Sequence, residues 1–120
     1  MNYTVVDMEN WKRGSLFKHE RRRGTDMKKI LLFYLEDCPY CHYAKRALEE
    51  LAQENAAYGT IDVQWIEENQ HSELASQFFY YYVPTIYFGE EKLYEAHPSE
   101  GYSDVKEHIR AALDKVLKAQ

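Results

Sequence analysis

Ile30-Leu31-Leu32-Phe33-Tyr34-Leu35-Glu36-Asp37-Cys38-Pro39-Tyr40-Cys41-His42-Tyr43-Ala44-Lys45 is the stretch that decides the fold. Its first six residues form a short, unbroken apolar run ended by two acids, the pattern of a strand buried on both faces in the middle of a sheet. Beyond the acids the period changes. Cys41, Ala44, Leu48, Leu51 and Ala52 recur at helical spacing, with Lys45, Glu49, Glu50 and Gln53 on the opposite face. Pro39 suits the first turn of that helix, where no backbone donor is required. A buried strand therefore feeds directly into an amphipathic helix, and both cysteines stand at the junction.

The same reading extends towards the C-terminus. Gly59 ends a connection, after which Ile61, Val63 and Trp65 alternate with Asp62 and Gln64 as a strand. A second helix is predicted from about Gln70 to Tyr80, with Leu74, Ala75 and Phe78 turned inward. Pro84 opens a strand over Thr85 to Phe88, Gly89-Glu90-Glu91 makes a tight turn, and Lys92 to Ala96 returns. A last helix over Ser103 to Lys118 buries Val105, Ile109, Ala112, Leu113 and Val116. The expected class is α/β, with the order β-α-β-α-β-β-α and a central four-stranded mixed sheet flanked by three helices.

Towards the N-terminus, the pattern breaks near Gly24-Thr25-Asp26-Met27, where a basic, polar segment meets the apolar run. This places one domain at residues 27–120 and an N-terminal extension, peripheral or flexible, at 1–26; Met27 could serve as a second start. Residues 1–29 carry eight lysines and arginines against four acids, whereas the rest carries seven against sixteen. An acidic body repels phosphates and so excludes nucleic acid as the expected partner. Arg21-Arg22-Arg23 reads as a solvated tail. Nothing approaches the roughly 18 consecutive apolar residues of a membrane span. Asn10-Trp11-Lys12-Arg13 lacks the apolar run of a secretion signal. The expectation is a cytoplasmic protein, acting as a monomer without a membrane.

Only two cysteines are present, Cys38 and Cys41, and a disulfide across two residues would staple nothing distant. Such a pair in a non-exported chain points to redox exchange or to half of a metal site. Zinc would need two more ligands, and His97 and His108 are not at finger spacing, so no metal is expected. Cys38-x-x-Cys41-His42 also satisfies the c-type haem attachment pattern, but the strand-first fold and the missing export signal disfavour it. For exchange chemistry a thiol must become a thiolate. The start of a helix, with its unpaired N–H groups and partial positive charge, favours that anion at Cys38. Cys41, one turn further in, is placed to attack a mixed disulfide formed there.

Cys38-Pro39-Tyr40-Cys41, continuing through His42, Ala44 and Lys45, resembles the glutaredoxin active-site motif, and Val83-Pro84-Thr85 resembles the cis-proline signature of the thioredoxin superfamily. The resemblance covers about residues 28 to 118 and implies a thioredoxin fold and a thiol-disulfide oxidoreductase. By resemblance, Cys38 is the nucleophile and Cys41 the resolving thiol; Pro84 faces them, and Val83 pairs its backbone with an extended substrate. Pro39 and Tyr40, within the motif, join the expected substrate-binding set. Tyr82 stands where glutaredoxins usually have threonine, and lines the expected substrate groove. No bound cofactor is expected. Substrates would be disulfide-containing proteins or small thiols, with glutathione, another thiol or a reductase flavoprotein as electron donor.

Several positions depart from that pattern. Leu35 replaces the lysine that glutaredoxins place three residues before the first cysteine, and Glu36 and Asp37 follow it. Gly101-Tyr102-Ser103-Asp104 is the nearest match to the family's γ-glutamyl turn, leaving Ser103 and Asp104 as ligand-binding residues or as caps of the last helix. Leu32 stands where thioredoxins bury an aspartate. The alternative function implied by the resemblance is an iron–sulfur carrier using Cys38 and glutathione. Separately, Asp7-Met8-Glu9-Asn10-Trp11-Lys12-Arg13, with Phe17 and His19, resembles the opening of chloramphenicol acetyltransferases over about 19 residues. That enzyme's catalytic histidine motif is missing, so no acetyltransferase activity carries over.

Overall fold

The computed structural model describes residues 3–5 and 28–119. Strand β1 (Tyr3–Val5) is followed by β2 (Lys29–Tyr34), α1 (Pro39–Glu54), a 3-10 turn (Tyr58–Thr60) and β3 (Asp62–Glu67). Then come α2 (Ser72–Ala75), β4 (Thr85–Phe88), β5 (Glu91–Glu95) and α3 (Tyr102–Lys118). The sheet order is β1-β3-β2-β4-β5, with β1 and β2 parallel to β3 and the β2–β4 and β4–β5 pairs antiparallel. The four strands expected from the sequence form its centre. A fifth, β1, unmarked by any pattern in the sequence, is added along β3 through Tyr3–Val5 opposite Val63–Trp65.

Strand β2 occupies the middle of the sheet because its side chains find partners on both faces. Ile30 and Leu32 join the larger core under α1 and α3, with Ala44, Leu48, Leu51, Ile109 and Leu113. Leu31 and Phe33 point the other way, into a smaller cluster with Ile66, Leu74 and Tyr87. All four β2 residues are buried, and burial of each is worth about 1.5–3 kcal/mol. Helix α3 buries the five residues that the periodicity selects. Gly89, at φ 64°, adopts the left-handed backbone that the β4–β5 turn requires and that glycine accepts without strain.

The second helix is far shorter than predicted. Gln70 to Tyr80 reads as about three turns, but only Ser72–Ala75 is helical. Leu74 and Ala75 do face inward. Beyond them the Ser76 hydroxyl donates to the Glu73 carbonyl, a local bond that competes with helix propagation. Phe78 and Tyr80 then both turn onto Phe33, with ring centroids 5.0 and 5.2 Å away. An unbroken helix could not bring two residues two apart onto one side. Packing on the sheet has overridden the helical period.

Candidate active site

Cys38 is the N-cap of α1, with extended backbone (φ −90°, ψ 120°), and Pro39 opens the first turn. The turn before it is closed by the Cys38 N–H donating to the Leu35 carbonyl at 3.2 Å. The Cys41 and His42 amides donate to the Cys38 carbonyl, so the two cysteines are joined by one helical turn. Their surroundings differ. Cys38 is half-buried with a free thiol, while Cys41 is 4% exposed and also free. Burial pushes the Cys41 thiol well above its ordinary range; a hydrogen bond with the Leu35 backbone opposes this, and the nearby Cys38 sulfur and the Glu68 carboxylate add to it.

Facing Cys38 is the loop before β4. The Val83–Pro84 peptide is cis, as the resemblance implied, and the Cys38 thiol donates to the Val83 carbonyl at 3.5 Å. Pro84 is buried and Val83 half-buried. Cys38, Cys41, Pro39, Tyr40, Val83 and Pro84 are thus brought to one end of the sheet. Tyr40 meets Tyr43, which in turn meets Tyr102 at the start of α3, in edge-on contacts of 6.0 and 5.7 Å. Asp104 acts as a cap: its Oδ2 accepts the Gly101 N–H at 3.1 Å. Among the described residues neither Ser103 nor Asp104 bonds to the cysteines or to the proline loop.

Two carboxylates that the sequence analysis passed over build the walls. Glu67, 7% exposed at the end of β3, accepts the amides of Glu36 (3.3 Å), Asn69 (2.7 Å) and Gln70 (3.0 Å). It thereby ties the turn before Cys38 to the β3–α2 connection. Glu95, at the end of β5, accepts the amides of Tyr81 (2.6 Å) and Tyr82 (2.8 Å) and pairs with Lys92 at 2.7 Å. Burial alone would raise the Glu95 carboxyl, but Lys92 and the two amides outweigh it and hold the group below its ordinary value. The loop carbonyls are fixed too: Phe79 accepts the Tyr87 hydroxyl and Tyr82 the Thr85 hydroxyl. A glutamate at a strand end looks like a solvated charge in sequence, so nothing local announced either role.

A half-exposed thiol at a helix N-cap, a second thiol buried one turn deeper and a cis-proline carbonyl against the first form an arrangement suited to thiol-disulfide exchange. The glutaredoxin family model matches residues 30–93, which span β2 from Ile30, the motif, the proline and most of the final hairpin. The chain belongs to the glutaredoxin family. The match starts well after the segment Asp7–His19 that resembles acetyltransferases, and that segment lies outside the described residues.

Solved structures place this glutaredoxin-family chain among thioredoxin folds. Thioredoxin f2 of Chlamydomonas reinhardtii is 16% identical, with 99% of this chain and 100% of that one covered at a TM-score of 0.62. Thioredoxin of Malassezia sympodialis is 14% identical, with 97% and 94% covered and a TM-score of 0.63. Zinc-bound human ERp44 is 16% identical at a TM-score of 0.55; 91% of this chain aligns, yet it spans only 30% of that protein. At such identities the likeness concerns the fold. No curated protein sequence matches the chain. Among the described residues, no helix is long and apolar enough to cross a membrane.

Proposed function

We propose that this glutaredoxin-family protein is a dithiol oxidoreductase that reduces protein or low-molecular-weight disulfides through Cys38 and Cys41. The Cys38 thiolate attacks one sulfur of the substrate disulfide, forming a mixed disulfide and releasing the first substrate thiolate, which takes up a proton. Cys41 then loses its proton and attacks the Cys38 sulfur. The Cys38–Cys41 disulfide forms, the second substrate thiolate leaves, and the substrate has gained two electrons. A thiol donor, glutathione or another, or a reductase flavoprotein returns the pair to the dithiol. The expected setting is the cytoplasm.

The observation that carries this reading is the pairing of an accessible N-cap thiol with a buried one a single turn away. Cys38 is the more exposed of the two and meets the substrate first, and burial keeps Cys41 protonated until the mixed disulfide presents it with a target. Reduction of bis(2-hydroxyethyl) disulfide, driven either by glutathione with its reductase or by thioredoxin reductase, tests it. The expected result is turnover that Cys38→Ser abolishes. Full activity in that variant would overturn the assignment, and a visible charge-transfer band in the purified protein, with no turnover, would favour the iron–sulfur carrier instead.

A further inference from the structure

The surface beside the two cysteines is aromatic and acidic, and its backbone is fixed. Phe79, Tyr81 and Tyr82 are 67%, 76% and 49% exposed, and the Phe79 and Tyr81 rings touch edge to face at 5.2 Å. They project from a loop held in place by Glu95, Tyr87 and Thr85, so they form a preorganised shelf directly before the Val83 carbonyl that Cys38 touches. Next to the shelf an open cleft of about 370 Å³ is lined by Glu68, Asn69, Ser72, Phe78, Tyr80 and Tyr81.

The charge of this surface points one way. Glu36 and Asp37 immediately precede Cys38 and are exposed. Glu68 opens into the cleft; its Oε1 accepts the Tyr80 hydroxyl at 2.8 Å, and it is close enough to bear on the Cys41 thiol. Among the described residues no lysine or arginine pairs with Glu36, Asp37 or Glu68, whereas Glu50, Glu54, Glu91, Glu95 and Glu107 each have a cationic partner. Lys92, the cation beside the shelf, is engaged by Glu95 and lies over the Phe79 ring at 5.6 Å. An anionic substrate would meet uncompensated like charge. A lysine or arginine would meet a carboxylate together with the faces of tyrosine rings, both of which attract cations.

We infer that the site selects disulfides carried on cationic segments of partner proteins, with a lysine or arginine near the reacting cysteine seated between Glu68 and Tyr81. The inference rests on the oxidoreductase reading above and names its substrate class. The aromatic shelf supplies contact area at low entropic cost, and the acids set the sign of the preferred charge and speed the encounter.

Two synthetic disulfide peptides, identical except for arginine or glutamate on both sides of the disulfide, test the inference with the reduced full-length protein. Neutral bis(2-hydroxyethyl) disulfide serves as reference. The arginine peptide should react about tenfold faster or more than the glutamate peptide at low salt, in line with electrostatic steering. The ratio should shrink in 0.5 M salt, and Glu68→Gln, which keeps the Tyr80 bond, should reduce it several-fold. Equal rates for the two peptides, or preference for the acidic one or for glutathione disulfide, would overturn the inference while neutral-disulfide turnover left the oxidoreductase reading standing. If none of the disulfides is reduced, both readings fall. The salt series needs no variant, so the outcome does not depend on Glu68→Gln folding.

Discussion

Replacing Glu67 by alanine removes one carboxylate and strands two backbone donors, those of Glu36 and Asn69, while the Gln70 N–H keeps the Glu67 carbonyl at 3.1 Å. A hydrogen bond to a charged group contributes about 1.5–3 kcal/mol, so two would reach about 3–6 kcal/mol if both donors stayed dry. They do not, because Glu36 and Asn69 are themselves exposed and their amides can turn to water. The variant also gains by no longer burying a charge. A net loss of about 2–3 kcal/mol follows, or roughly 6–15 °C in Tm for a domain of this size. Glu67→Gln retains one acceptor oxygen and should lose about half as much. Urea titration of wild type and both variants, in the reduced state, supplies the numbers. A loss below about 0.5 kcal/mol in Glu67→Ala would show that the carboxylate is an incidental neighbour of those amides and that the turn before Cys38 is held by other means.

The burial that raises the Cys41 thiol implies a pH dependence with a definite sign. The folded state binds that proton more tightly than the unfolded chain, so its contribution is complete below about pH 8.5 and is lost at up to ~1.4 kcal/mol per pH unit above it; denaturation of the reduced protein across pH 7.5–9, below the range where the raised tyrosines add their own slope, should show the effect and Cys41→Ala should diminish it. Alkylation at pH 7 followed by peptide mapping should label Cys38 and spare Cys41, and equal labelling would contradict the asymmetry in exposure. Cys41→Ser should accumulate mixed disulfides at Cys38 that are visible by intact mass, whereas Cys38→Ser should form none. Equilibration with glutathione buffers should give a midpoint in roughly the glutaredoxin range of −200 to −230 mV, and a value near thioredoxin's −270 mV would refute that expectation.

Much of the architecture could be read from the sequence because most elements have patterns that only one packing satisfies. The run Ile30–Phe33 has no polar face, so it had to lie in the middle of the sheet, and it does. Val105, Ile109, Ala112, Leu113 and Val116 recur at a helical period, and all five are buried. The motif and proline placed Cys38, Cys41 and Val83 together because each belongs to a local signature. What could not be read depended on distant contacts. Phe78 and Tyr80 carry no local sign that both will pack on Phe33, 45 and 47 positions earlier, and so the helical pattern in the sequence outruns the helix, which ends at Ala75. Strand β1 is three residues long, too short for alternation to mark it.

The acidic residues illustrate the same limit at the site and also give its logic. In sequence, Glu36, Asp37, Glu67, Glu68 and Glu95 are one class, solvated negative charges on an acidic body. The fold divides them by what their oxygens reach. Glu67 and Glu95 lie at strand ends beneath loops and accept five backbone N–H groups of those loops between them. Their charge is thereby absorbed into holding the two walls that face Cys38. Glu36, Asp37 and Glu68 stand on those same walls with no cation assigned to them among the described residues. Because hydrogen bonds tie down the backbone of those walls, that charge is carried on loops already positioned around the thiol. A partner that neutralises it gains without first having to order the surface, and this is the physical ground for selection by charge at a site whose covalent chemistry is indifferent to it.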